Sequence, residues 1–151
     1  MGNPPEKQPV AKRGKTRRTR ARTAPHSLDG LRGLIKKLRS ENGCPWDRRQ
    51  TLSSIAPYLR EEVDEALREL KKNSIEDFSE ELGDVFLILV MMIQIAEEEG
   101  LFTFEDVMTL AAEKIVRRHP HVFSGLKVSS LDEIVANWKK IKETEKRGRR
   151  G

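Results

Sequence analysis

Residues 51–99 read TLSSIAPYLREEVDEALRELKKNSIEDFSEELGDVFLILVMMIQIAEEE. Ile55, Leu59, Val63, Ala66, Leu67 and Leu70 recur at spacings of three and four, which predicts a helix from about Thr51 to Lys72 burying this stripe. Pro57, in its early part, marks either a bend or the true start. Ser74-x-x-Asp77 has the form of a capping box with Asp in place of Glu, and opens a second helix from about Ile75 to Glu99, ended by Gly100. The apolar run Val85–Ile93 is nine residues long, against the roughly 20 that a membrane span needs, so it reads as a buried helix and no membrane partner is expected.

These two helices carry the acids Glu61, Glu62, Asp64 and Glu65, then Glu80, Glu81 and Asp84. Residues three apart are neighbours on a helix surface, so Glu62 pairs with Glu65 and Glu81 with Asp84. The chain between Glu65 and Glu81 is long enough to finish one helix, turn and return alongside it. On a helical wheel Glu62 lies beside the stripe of Ile55, Leu59 and Ala66, and Glu81 beside that of Phe78, Leu82 and Val85. Acids that only solvate a helix would point away from such stripes. Four carboxylates at a core edge repel unless a cation joins them, and oxygen-only ligation suits a hard ion, Mg²⁺ or Mn²⁺. The plainer alternative is a set of ordinary exposed helix acids.

Working outward, Leu28, Leu31, Leu34, Ile35 and Leu38 predict a helix after an N-cap at Ser27. ENGCPWD at 41–47 breaks the pattern and reads as a structured loop with Trp46 as its apolar plug; closing over a nucleotide base is the weaker option. Thr103-x-x-Asp106 opens a helix that stops before Pro120, and Ser130-x-x-Glu133 opens one with Ile134, Val135, Trp138 and Ile141. No strand pattern and no internal repeat is visible. The fold expected is all-α, a bundle of about five helices with antiparallel neighbours. Lys114, Arg117 and Arg118 can present to one side, where cations beside a metal site would suit a polyphosphate; a helix C-terminus also favours such residues through its dipole. His119-Pro120-His121 reads as a helix end rather than as metal ligands. Trp138 is either a surface for a base or a core residue.

The chain has 151 residues, 35% of them charged, and a net charge of +5. Eight Lys/Arg and one acid fall in residues 1–25, and seven Lys/Arg and two acids in 139–151, so an acidic body carries two basic ends. Residues 1–25 lack the apolar side chains to offset ordering entropy and read as a disordered basic arm, either a solvated extension with no partner or an attachment to an anionic polymer, so nucleic acid is a candidate partner through these residues only. The helical domain is expected over 26–145 and a frayed basic tail over 146–151. A single cysteine, Cys44, excludes an intrachain disulfide framework and Cys-rich zinc sites, and with no apolar leader segment points to the cytoplasm. A helix as apolar as 85–96 in so short a chain predicts a homodimer at least, with part of 75–99 or 103–118 at the contact.

At these residues the sequence resembles the MazG family of nucleoside triphosphate pyrophosphohydrolases. The motif E-E-x-x-E, spacer, E-x-x-D stands at Glu61-Glu62-Val63-Asp64-Glu65 and Glu81-Leu82-Gly83-Asp84. NGCPWD at 42–47, Gln50-Thr51, Pro57-Tyr58, EELGD at 80–84, AEEEG at 96–100 and RRHPHVF at 117–123 extend the match over roughly 31–141. The resemblance implies an all-α bundle assembled as a dimer or dimer of dimers, and Mg²⁺-dependent hydrolysis of an NTP or dNTP to the monophosphate and pyrophosphate. It implies Glu62, Glu65, Glu81 and Asp84 as metal ligands, and Lys114, Arg117, Arg118 and Trp138 as nucleotide contacts. Glu61 or Glu62 would accept the proton of the attacking water. Many relatives carry two such domains where one is visible here, and the basic arm is foreign to the pattern. The alternatives are a non-catalytic helical adaptor that binds nucleic acid through the arm, and a related enzyme restricted to dUTP/dCTP or phosphoribosyl-ATP.

Overall fold

The structure, a computed structural model, describes residues 27–148. Seven helices follow in order: α1 Leu28–Arg39, α2 Pro45–Arg49, α3 Leu52–Lys72, α4 Ile75–Glu98, α5 Phe104–Arg118, α6 Pro120–Phe123 and α7 Leu131–Gly148. Among the described residues there is no strand. The expected five helices are all present; α2 and α6 are additional single turns, each opened by a proline at its first position, where the missing N–H costs nothing. The arm at 1–25 lies outside the described residues. Helix α7 runs on through Gly148, three residues past the expected boundary at 145.

Local chemistry sets the ends. The Ser27 hydroxyl accepts from Gly30 N at 3.1 Å. Thr51 and Ser54 form a reciprocal capping box, so α3 begins at Leu52 and Pro57 lies inside it, not at its start. Thr103 and Asp106 form the expected box. Two other expected boxes differ. The Ser74 hydroxyl donates to the Asp77 carboxylate instead of accepting from the backbone. Ser130 accepts from Glu133 N at 3.2 Å, but the Glu133 carboxylate takes Ser129 N at 2.8 Å, one residue early. Asn73, at φ 57°, and Gly100, at φ 68°, supply the left-handed residues that end α3 and α4.

Helices α3 and α4 form an antiparallel hairpin, and α1 covers the C-terminal half of α4. The core joins Ile35 of α1, Ile55 of α3, Ile88, Val90, Met91 and Ile95 of α4, and Phe104 of α5. Around it, Arg39 donates to Glu98 at 2.7 Å and to the carbonyls of Asp47 and Gln50, tying α1, α2 and α4 together. Arg32 bridges Glu97 and Glu105 and lies over the Phe104 ring. Beyond this first turn α5 leaves α4 and packs with α6 and α7.

Several residues expected to be buried are not. Val63, Leu67 and Leu70 of α3 and Leu82, Phe86 and Leu89 of α4 are substantially exposed, with Leu67 at 49% and Phe86 at 46%. Among the described residues no other helix covers these side chains. Trp46, expected as a plug, is half-exposed and meets the edge of Tyr58, ring centroids 5.8 Å apart. No helix among the described residues is long and apolar enough to cross a membrane.

Candidate active site

The α3–α4 turn is short, and its centre, Asn73, acts as a ruler. Glu62 and Asp84 are equally far from it along the chain, and so are Glu65 and Glu81. In an antiparallel hairpin, residues equidistant from the turn come level with one another, so both pairs meet across the seam. Carboxylate oxygens of Glu62, Glu81 and Asp84 all lie within 4.8 Å of one another. Partial burial, then the charges of Asp84, Glu65 and Glu81, push the Glu62 carboxyl above its ordinary range. Partial burial, then Glu65 and Asp84, push Glu81 the same way. Charge is crowded here without relief: among the described residues no Lys or Arg forms an ion pair with Glu62, Glu81 or Asp84.

Of the four acids expected as ligands, three converge. Glu65 stands beside them, close enough to act on both Glu62 and Glu81, but its carboxylate accepts from Arg68 at 2.6 Å. An Arg one turn along the same helix outcompetes a group of like charges. Glu61 is exposed at the margin of the cluster. The donor set fits a hard divalent ion: ligand oxygens about 2.1 Å from Mg²⁺ sit about 3–4.2 Å from one another, so small side-chain adjustments would close the three onto it.

The basic group is built separately. Arg117 donates to Glu145 at 2.7 Å and Arg118 to the same carboxylate at 2.6 Å, which holds Glu145 down at about 2. Arg118 lies 5.4 Å from the Trp138 ring centroid and Lys142 lies 4.8 Å from it, so two cations contact the Trp138 ring. Lys114 is half-buried, without an ion pair among the described residues. The His119 ring meets the Ile115 carbonyl at 2.7 Å and lies tilted at 56° to the His121 ring, ending the helix as expected. A cavity of about 410 Å³ opens between α5, α6 and α7, lined by Arg117, Pro120, Leu126, Asn137 and Ile141 among others; none of the clustered carboxylates reaches it. Glu145 as the arginines' partner was not foreseeable: 27 positions separate it from Arg118, and only the packing of α7 on α5 brings them together.

Residues 50–123 match the family model described as the MazG nucleotide pyrophosphohydrolase domain. The chain belongs to the MazG family. This MazG chain is 45% identical over 121 residues to the uncharacterized protein YabN of Bacillus subtilis, covering 80% of this chain and 25% of that protein. It is 40% identical over 122 residues to the nucleoside triphosphate pyrophosphohydrolase of Escherichia coli K12, covering 80% of this chain and 46% of that one. The chain thus spans less than half the length of these curated relatives. The crystal structure of a mazG-related protein from Thermotoga maritima superposes with a TM-score of 0.66 at 28% identity, covering 77% of this chain and 99% of the other. The all-α MazG fold is therefore shared with a solved structure.

Proposed function

We propose that this MazG chain is a cytoplasmic, Mg²⁺-dependent nucleoside triphosphate pyrophosphohydrolase that converts an NTP or dNTP and water to the monophosphate and pyrophosphate. The observation that carries this reading is the convergence of Glu62, Glu81 and Asp84 on one spot, with no Lys or Arg among the described residues in an ion pair with them. A fold that tolerates such repulsion is organised around a cation it does not itself supply. Mg²⁺ would be held by these three, with Glu65 joining once released from Arg68; Mn²⁺ suits the same donors. When bound, the ion supplies charge neutralisation at the triphosphate and polarises the phosphorus under attack.

The chain's own residues do the rest. Glu61, one turn before Glu65 and outside the ligand group, is the carboxylate left to accept the water proton; Glu62 is the alternative, at the expense of its ligand role. Lys114, Arg117 and Arg118 balance charge on the departing pyrophosphate, and Trp138 offers a face to the base. The exposed stripes on α3 and α4 support a homodimer, since Val63, Leu67 and Leu70, and Leu82, Phe86 and Leu89, each follow the i, i+4, i+7 pattern of a helix seeking a partner.

The test is product identification over the common NTPs and dNTPs, with Mg²⁺ present and absent. Metal-dependent release of monophosphate and pyrophosphate is expected. Turnover unaffected by removing the metal, or by Glu62→Gln in a folded protein, would overturn the assignment.

A further inference from the structure

Nothing in the proposed reaction uses the cavity of about 410 Å³ between α5, α6 and α7. Its volume falls within the roughly 300–1,000 Å³ of small-molecule sites. Its walls are mostly apolar, with Pro120, Leu126 and Ile141 among them. On α7, Asn137, Lys140, Ile141 and Thr144 stand at i, i+3, i+4 and i+7, so one stripe of the helix faces the cavity. Trp138 and Lys142, whose ammonium lies against the ring, stand roughly 100° or more round the helix from that stripe. The surface proposed for the base is therefore on another side of α7.

Charge at the cavity is unbalanced. Arg117 and Lys140 line it beside a single acid, Glu145. That carboxylate is already shared by Arg117, at 2.7 Å, and Arg118, at 2.6 Å. Arg117 reaches it through Nε, and among the described residues no hydrogen bond takes its terminal nitrogens. Lys140 is exposed and forms no ion pair among the described residues. Two arginines and a lysine thus answer one carboxylate, which leaves the place short of an anion.

We propose that this cavity binds a small molecule with an apolar body and one anionic group, the class to which medium-chain carboxylates belong. The body leaves water against Pro120, Leu126 and Ile141. The anion takes charge-assisted hydrogen bonds from Lys140 and from the terminal nitrogens of Arg117. A neutral apolar molecule would leave these cations unanswered. A nucleotide would find no aromatic ring among the lining residues and would strand its several charges against apolar walls. The occupant also reaches the reaction, because Arg117 belongs to both places: an anion that engages the guanidinium withdraws it from the departing pyrophosphate. This consequence rests on the role proposed for Arg117; the binding itself does not.

Calorimetric titration with octanoate tests the binding, with octanol as the neutral probe. Saturable binding of octanoate is expected, about tenfold tighter than that of octanol. Lys140→Glu, which reverses the charge at the cavity, and Leu126→Trp, which fills it, should each weaken octanoate binding about tenfold or more; circular dichroism checks that both are folded. No saturable binding, octanol bound as tightly as octanoate, or binding left unchanged by either variant overturns the proposal, the last because octanoate then sits on another apolar surface.

Turnover tests the coupling. Octanoate should slow pyrophosphate release by the wild type even at saturating NTP, and should leave Lys140→Glu, active as the wild type without it, unaffected at the same concentration. Inhibition that saturating NTP relieves would place octanoate in the substrate site and overturn the proposal. Octanoate bound in the cavity with turnover unchanged overturns the coupling through Arg117. A protein that releases pyrophosphate from no NTP or dNTP defeats the reading of the enzyme instead, and the calorimetry still decides the cavity.

Discussion

Glu62 and Asp84 stand level across the α3–α4 seam, at equal chain distances from Asn73, with carboxylate oxygens within 4.8 Å. The pair is set by one tight turn and by helical rise, so it persists whether or not a cation is present. Its like charges oppose folding in the metal-free protein. Glu62→Gln in EDTA should therefore melt higher than the wild type, while pyrophosphate release falls about 10²–10³-fold. A variant that melts lower, or keeps its turnover, would contradict the shared site.

Metal addition should act in the opposite sense. Mg²⁺ at about 100 times its dissociation constant should stabilise the wild type by about 2.7 kcal/mol, and EDTA should reverse the shift. The gain should shrink in Asp84→Asn. Thermal melts over a Mg²⁺ titration measure both.

The α5–α7 contact should be acid-labile. The Arg118 and Arg117 hydrogen bonds hold Glu145 at about 2, below its ordinary value of 4.5. A carboxylate depressed on folding adds stability above the unfolded value, and that stability fades as pH falls from about 4.5 through about 2. The melting-temperature gap between wild type and Glu145→Gln should be full at pH 7 and close in that window. A gap that is unchanged at pH 2 would show that the ion pairs do not hold α7.

Phe86 separates a monomer from an assembly. It is 46% exposed in a single chain, where a surface substitution changes stability by no more than about 0.5 kcal/mol. At a dimer contact, Phe86→Glu places charge in an apolar interface. The expectation is a shift from dimer to monomer in light scattering, with loss of turnover.

Gly43 has a different duty. A Cβ there would run into the carbonyl oxygens of Leu38 and Lys37, because Gly43 N donates to Ser40 O at 2.8 Å and Cys44 N to Leu38 O at 2.7 Å, drawing the backbone tightly onto the end of α1. Gly43→Ala should cost about 1–3 kcal/mol, read from urea unfolding. A neutral substitution would mean that the loop gives way easily.

Much of this was legible in order of residues. The 3.6-residue periodicity located the five long helices, because a helix that buries one face must repeat apolar residues at its own pitch. The acidic spacing located the Glu62, Glu81 and Asp84 cluster for a similar reason: spacing of three on a helix, doubled by a hairpin, is a statement about distance. Where the reading failed, the competing group was close by. Ser74 had a carboxylate within reach and used it instead of a backbone N–H. Val63, Leu67 and Leu82 were read as core because periodicity marks an apolar face without naming what covers it.

The sequence alone determined helix, turn and acid placement, since each depends on interactions within a few residues or on symmetry about a single turn. Only the tertiary structure decided that Arg117 and Arg118 close on Glu145, that Arg32 joins Glu97 to Glu105, and that α5 departs from α4 after Phe104. Those outcomes depend on how rigid helices stack across long separations, where burial and charge pairing compete over the whole surface and no local spacing records which pairing wins.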